Sequence, residues 1–210
     1  MTDWFRKKTW AQTDEEEFFA KLKRARKDGR AQYLKIQAIE LVETKDKNLL
    51  KVAENLLTKM LSDYPDDNFN KSSALQTLGD IQKQFKNYEL AMSFYKQAIE
   101  FEKIYPNVQT LAYLDYSELV IKTKKINLFD EVEKILLERQ SELSFPILKY
   151  KAYSILSIIN KYKDELDQAK YYENLAEQNA NAETSGFRYH KYLGIVNERD
   201  NLLDDLVQKK

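Results

Sequence analysis

The chain has 210 residues, of which 32% are charged and 43% are hydrophobic. Its 34 Lys and Arg balance its 34 Asp and Glu, so no net charge drives it onto nucleic acid or an anionic membrane. Four glycines, three prolines and no cysteine exclude a turn-rich all-β chain, a disulfide framework and thiol catalysis. No apolar run approaches the roughly 20 residues that span a bilayer, and the N-terminus lacks a secretory apolar core. We therefore expect a cytoplasmic protein without a membrane segment.

Residues 1–29 differ in composition from the rest and are predicted to cap the helical region that follows, with docking of the Trp4–Trp10 segment on another chain as the alternative. They contain both tryptophans, Trp4 and Trp10. Thr13 followed by Glu16 predicts a capping box at a helix start. A basic run over residues 21–30 follows, which we interpret as a solvated end that complements the helix dipole. A nucleic-acid patch is the alternative interpretation of this run.

Residues 30–181 read as four helix pairs, over 30–64, 70–105, 107–141 and 145–181. All three prolines follow an aromatic residue at a predicted boundary, where proline stops the preceding helix: Tyr64-Pro65, Tyr105-Pro106 and Phe145-Pro146. Polar residues that cap a second helix or begin the turn before it lie inside the pairs, at Asp46, Asn87, Asn127 and Asp164. These two signals have unrelated physical causes, and they give the same division.

The second pair carries the clearest pattern. Small residues stand where two helix axes approach, and larger residues fill the gaps between them: Leu78 and Gly79 on the first helix, then Ala91, Tyr95 and Ala98 on the second. This arrangement resembles the tetratricopeptide repeat, although Gln82 stands where that family often has an aromatic residue. The opening of the chain is similar to that of small stand-alone bacterial proteins of the same superfamily. The resemblance implies an all-α fold, a right-handed superhelix of stacked antiparallel helix pairs with capping helices at both ends.

Residues 184–208 are predicted to form one or more C-terminal capping helices. Ser185-Gly186 breaks the chain, and aromatic and aliphatic residues from Phe187 to Val196 suggest a helix. A second apolar pattern follows from Leu202 to Val207. No low-complexity linker interrupts the chain, so residues 1–210 are predicted to form a single domain.

Catalytic patterns are missing from the sequence. It has no glycine-rich phosphate loop, no GxSxG elbow and no HExxH motif. His190 is the only histidine, and we interpret it as a packing or surface residue rather than a proton-transfer group. We therefore predict a non-enzymatic protein with no cofactor and no metal.

A row of lysines is the candidate binding feature. When the pairs are aligned on Ala53, Ala91, Val132 and Ala169, the residue eight places earlier is a lysine each time: Lys45, Lys83, Lys124 and Lys161. The resemblance places first helices on a concave face. The other residues predicted to line that groove are Lys35, Gln76, Asp80, Ser117, Ile121, Lys125, Lys151, Ser154, Ile158 and Tyr162.

Two interpretations of the row are compatible. Each lysine could neutralise the carbonyl end of its own helix, worth about 0.3–1 kcal/mol, or the row could attract an acidic partner. We predict a module that binds a peptide or protein segment, most simply an acidic one, and that regulates or neutralises a dedicated partner, as an immunity-type protein does. The alternative is nucleic-acid binding through the basic N-terminal helix and the groove lysines.

Overall fold

The computed structural model describes residues 3–208. Within that range the chain forms α-helices and short 3-10 turns and no strand, which confirms the predicted all-α class. The helices are α1 (Gln12–Arg24), α2 (Lys27–Glu43), α3 (Lys47–Asp63), α4 (Lys71–Gln84), α5 (Tyr88–Ile104), α6 (Ala112–Lys122), α7 (Phe129–Glu138), α8 (Pro146–Tyr162), α9 (Leu166–Ala180) and α10 (Asn201–Gln208). The 3-10 turns are Pro106–Val108, Ile126–Leu128 and Gln140–Glu142. None of the helices in this range is both long and apolar enough to cross a membrane.

The helices cluster into two compact units, over residues 3–112 and 113–208. In the first unit, α2 packs on α3 and α4 packs on α5, while α3 also contacts α4. In the second unit, α8 packs on α9 and also contacts α7 and α10. Packing of neighbouring helices in successive pairs is therefore confirmed.

The prolines act at helix boundaries by two routes. Pro65 and Pro106 follow the C-caps of α3 and α5, where a proline cannot continue the helix. Pro146 is instead the first residue of α8. The backbone N–H at that position makes no hydrogen bond within a helix, so its absence in proline breaks none.

In the first unit, α4 packs closely on α5. The ring of Tyr95 lies against Gly79, so that a methyl group at that glycine would overlap it. Tyr95 is fully buried, and its hydroxyl donates to Asp80 at 2.7 Å. Gln82 is also buried, and its amide donates to Glu54 of α3 at 2.8 Å. A polar bridge between α3 and α4 thus uses the position that the repeat family often gives to an aromatic residue.

The N-terminal segment packs on its own unit. The Trp4 ring lies 5.3 Å from Phe18 and 5.0 Å from Tyr33, and Trp10 lies 5.3 Å from Phe18. The predicted capping box of Thr13 and Glu16 is wrong, because α1 begins at Gln12 and its Asp14 accepts from the backbone N–H of Ala11 at 2.9 Å. Lys7 also donates to Asp14, a contact between segments that the local sequence pattern does not reveal.

The turn inside each helix pair contains one residue in the left-handed region. These residues are Lys45, Lys86, Lys124 and Asp164, with φ of 59°, 63°, 55° and 59°. In the last three turns the left-handed residue and its successor donate to the two carbonyls of a Schellman motif. In the first turn, the hydroxyl of Thr44 donates to Leu41 and accepts from the backbone N–H of Asp46 instead.

Lys86→Gly is expected to raise the free energy of unfolding by about 0.5–1 kcal/mol. A side chain in the left-handed region costs roughly 1–2 kcal/mol, and glycine removes that cost. Part of the gain is offset because glycine has greater conformational freedom in the unfolded chain. Urea denaturation followed by circular dichroism measures the change. Lys86→Ala is the matched control, because it removes the charge but keeps the Cβ atom. An equal gain in both variants would show that the charge, not the backbone conformation, limits stability.

Candidate interaction surfaces

The predicted lysine row does not occupy one structural position. Lys45 and Lys124 lie in the left-handed turn after their helices, whereas Lys83 and Lys161 lie three residues before the equivalent turn residues, Lys86 and Asp164. By turn geometry, the residues equivalent to Ala91 and Ala169 are Leu50 in the first pair and Phe129 in the third. The sequence alignment used Ala53 and Val132 instead, so it is wrong by three residues in those two pairs. The residues that share the position of Lys83 and Lys161 are Val42 and Ile121. A local sequence alignment shifts easily by about one helical turn, because apolar residues recur at that spacing.

In the first unit, the predicted groove residues belong to α2, α4 and the turn after α2. Lys45 is exposed, and Gln76 and Lys35 are half-buried. Burial lowers the pKa of Lys35, an effect that the charge of Asp67 opposes. The ammonium of Lys83 lies 6.0 Å from the ring centroid of Tyr95, the residue whose hydroxyl bonds to Asp80. Lys83, Asp80 and Tyr95 thus form one cluster on α4 and α5.

In α6 and its following turn, the predicted residues divide between the interior and the surface. Ser117 and Ile121 are buried, and the hydroxyl of Ser117 donates to the Tyr113 carbonyl at 2.6 Å. These two residues form part of the core, so they cannot line an open groove in this conformation. Lys124 is exposed and Lys125 is half-buried, so both remain candidates for partner contact.

In α8, two of the predicted lysines bind other elements of the second unit. Lys151 donates to Glu118 of α6 at 2.7 Å, and Lys161 donates to the Val207 carbonyl of α10. Ser154 is buried, whereas Ile158 is half-buried. Tyr162 is 58% exposed, and the edge of its ring meets Phe129 at a centroid distance of 5.3 Å.

Glu118 connects α6 to α8 through two lysines. Its carboxylate accepts from Lys122 at 2.6 Å and from Lys151 at 2.7 Å. Burial by itself would raise the pKa of Glu118, but the charges and hydrogen bonds of these lysines outweigh it and lower the pKa to about 2. The two ammonium groups are therefore balanced within the protein, which limits how strongly they can attract an external acid.

The helix α10 lies on the first-helix side of the second unit, a contact that the sequence analysis missed. The hydroxyl of Tyr150 donates to Asp204 at 2.7 Å and accepts from the backbone N–H of Asp200 at 3.1 Å. Burial, followed by the bond to Asp204, raises the pKa of Tyr150. Lys122 of α6 donates to the side chain of Asp200. Only the distant partners of these acidic residues, Tyr150 and Lys122, reveal the contact.

The prediction of a helix from Phe187 to Val196 is wrong. Residues 184–194, here called the aromatic loop, form turns that the hydroxyl of Ser185 closes by donating to the His190 carbonyl at 2.6 Å. Gly194 has a φ of 70° and lies against Phe145, and its carbonyl accepts from the backbone N–H of Ile147 at 2.9 Å. The loop is thereby attached to the start of α8.

The aromatic loop presents large side chains to solvent. Tyr189 is 80% exposed and Tyr192 is 73% exposed, with Phe187 at 43% and Leu193 at 55%. The guanidinium of Arg188 lies 5.3 Å from the ring centroid of Tyr189. No acidic residue occurs between Glu183 and Glu198. The surface of this loop is therefore aromatic and basic, unlike the balanced charge of the whole chain.

The first unit also has a groove of about 670 Å³ between α3, α4 and α5. Its apolar lining includes Leu61, Leu75, Phe101 and Ile104, with lysines at its edge. Ile104 is 72% exposed. This groove uses the first helix α4 as well as the second helices α3 and α5, but none of the predicted groove residues lines it.

Among residues 3–208, no three His, Cys, Asp or Glu side chains come together in an arrangement that could hold a metal ion. His190 is exposed and lies within the aromatic loop. Comparison of the chain with protein-family models, curated proteins and solved structures gives no match. The likeness to tetratricopeptide repeats therefore depends on the residue pattern and the helix pairing described above.

Proposed function

We propose that this protein is a non-enzymatic interaction module that binds an acidic segment of a protein partner and so regulates or neutralises it. The observation that carries the proposal is the aromatic loop, with Tyr189 and Tyr192 both more than 70% exposed beside Arg188. Exposed apolar clusters on soluble proteins mark interaction sites, and tyrosine and arginine are enriched among residues that dominate binding energy.

The fold supports this proposal by keeping the loop ordered. Ser185, Gly194 and Phe145 hold the loop through hydrogen bonds and close packing. A preformed loop loses less conformational entropy on binding than a disordered one. The exposed lysines Lys45 and Lys124 would add attraction for an acidic partner, mainly by speeding association. Membership of the tetratricopeptide superfamily, its right-handed superhelical stacking, a bacterial origin and a cytoplasmic location are part of this proposal.

The test begins with a photo-crosslinking residue in place of Tyr192 in native cells, which identifies the partner. The affinity of the purified complex is then measured for Tyr189→Ala and Tyr192→Ala. Each variant is expected to weaken binding by about 30-fold, since truncating a dominant contact costs about 2 kcal/mol. Tyr171→Ala is the matched control, because Tyr171 is 54% exposed on α9, away from the loop. Unchanged affinity in both loop variants would contradict the proposal.

Binding of single-stranded nucleic acid is a second candidate function, which the same loop favours. Exposed rings stack on bases, and interleaved cations contact phosphates. A labelled oligothymidine separates the candidates, because phosphate contacts make affinity fall steeply between about 50 and 200 mM salt. Salt-dependent binding that Tyr189→Ala abolishes would support this function over the first. The zero net charge of the chain favours a protein partner.

A further inference from the structure

The C-terminal helix α10 has the form of a short amphipathic ligand. Leu203 is fully buried and Val207 is 8% exposed, and their spacing of four places them on one helix face. Asp205 and Gln208 are exposed. Acidic residues, including Asp200 and Asp204, flank the apolar pair. The sequence therefore combines two apolar anchors with acidic groups, as helices that bind in a groove commonly do.

The site that holds α10 is made by other elements of the second unit, and we call it the α10 site. Tyr150 of α8 binds Asp204, and Lys122 of α6 binds Asp200. At the other end of the helix, Lys161 donates to the Val207 carbonyl, where a cation also complements the helix dipole. The α10 site thus offers cations and a hydroxyl to an acidic helix along its whole length.

The packing beneath α10 is incomplete. A cavity of about 230 Å³ lies between α8, α9 and α10, and its lining includes Tyr150, Ser154, Glu173 and Val207. Within the described part of the chain, the buried hydroxyl of Ser154 has no hydrogen-bond partner. An unsatisfied buried polar group costs about 1–3 kcal/mol. The Ser154 hydroxyl is therefore a polar group in this cavity to which α10 makes no hydrogen bond.

The connection to α10 permits release. The aromatic loop is attached to the start of α8, so the connection to α10 consists of residues 195–200, which contain no α-helix. α10 itself has eight residues, too few to remain helical alone in water. Its attachment therefore depends on the α10 site and on the high effective concentration that the connecting segment provides, on the order of millimolar.

We propose that α10 is an internal ligand, occupying the site at which the second unit binds an acidic amphipathic helix of a partner. The partner helix carries two apolar residues four positions apart, as Leu203 and Val207 are. It carries one carboxylate three residues before the first of them, like Asp200, and another one residue after it, like Asp204. It displaces α10 when it binds. This inference rests on the proposed function in that it assumes a protein partner, but it concerns a different surface from the aromatic loop.

The experiment uses the full chain with a protease-recognition sequence inserted after Asn197, which is exposed. The protein folds with α10 in place and is then cut. A fluorescein-labelled peptide with the sequence of residues 199–210 is added, and its anisotropy is measured with cut and uncut protein. The cut protein is expected to bind the peptide at least tenfold more tightly than the uncut protein, because its own helix can dissociate.

A peptide with Leu203→Asp and Val207→Asp is the matched control, and it is expected not to bind. Loss of much more helical circular dichroism after cutting than the eight residues of α10 contribute would show that α10 is a permanent part of the fold, which overturns the inference. Failure of the cut protein to take up the peptide, or equal binding to the uncut protein, also overturns it. These results do not depend on Tyr189 or Tyr192, so the proposed function and this inference can fail separately.

Discussion

Gly79→Ala is expected to lower the free energy of unfolding by about 2 kcal/mol, the difference between a large overpacking cost and a smaller gain in helix propensity. Glycine to alanine inside a helix normally gains about 1 kcal/mol. Here, however, the added methyl group would lie 2.5 Å from Cδ1 and 2.9 Å from Cζ of Tyr95. That ring is fully buried and its hydroxyl is bonded to Asp80, so it cannot move aside cheaply. Overpacking costs typically about 1–3 kcal/mol, and the overlap with Tyr95 places the expected overpacking cost at the upper end of that range.

Urea denaturation measures this loss, and Gly29→Ala provides the matched control. Gly29 is also helical, but its added methyl group would meet only the half-buried Tyr33 ring, at 3.2 Å. We expect Gly29→Ala to change stability by less than about 1 kcal/mol. A second change, Tyr95→Leu, should make Gly79→Ala less costly, because the ring that it strikes is gone. If Gly79→Ala were as stable as the parent chain, the close packing of α4 on α5 would be refuted.

Glu118→Gln is expected to lower the free energy of unfolding by about 2–3 kcal/mol. The carboxylate is 8% exposed, and it joins Lys122 of the same helix to Lys151 of α8. Removing one partner of a buried ion pair costs about 3–5 kcal/mol, because the opposite charge stays buried. The lysine side chains are 25% and 29% exposed, so water reduces the cost. Glu100→Gln breaks an exposed pair with Lys103 and should change stability by less than about 1 kcal/mol.

The contribution of Glu118 is expected to depend on pH. Its pKa is lowered from 4.5 to about 2 in the folded chain, so folding stabilises the ionised form by about 3 kcal/mol. This stability is fully present above about pH 4.5, and it is lost as the pH falls towards 2. The difference between the parent chain and Glu118→Gln should therefore shrink across that interval in urea denaturation series. A difference that stayed constant down to pH 2 would show that packing, not charge, is responsible.

The positions of the helices were largely predictable from the sequence. Apolar periodicity identifies helices, and Pro65, Pro106 and Pro146 mark helix boundaries whatever lies around them. Gly79 and Ala91 likewise indicated close packing of α4 on α5, because only small side chains allow two axes to approach. These signals act within one helix or between neighbours in the chain, where spacing alone constrains the structure.

The candidate sites were less predictable, because they depend on contacts between distant residues. The sequence suggested four equivalent lysines, but turn geometry separates Lys45 and Lys124 from Lys83 and Lys161. The sequence also suggested a helix from Phe187 onward, since its apolar spacing fits one. The bonds of Ser185 and the packing of Gly194 on Phe145 stabilise a loop there instead.

By itself, the sequence determined that this protein is all-helical and that its helices pair with their neighbours. Periodicity, proline and small residues act locally, and each position carries its own signal. Only the tertiary structure decided which charged and aromatic residues meet a partner of their own chain and which face solvent. Tyr150 and Lys161 bind α10, whereas Tyr189 and Tyr192 project outward, because packing between segments far apart in the chain selects among side chains of the same chemical type.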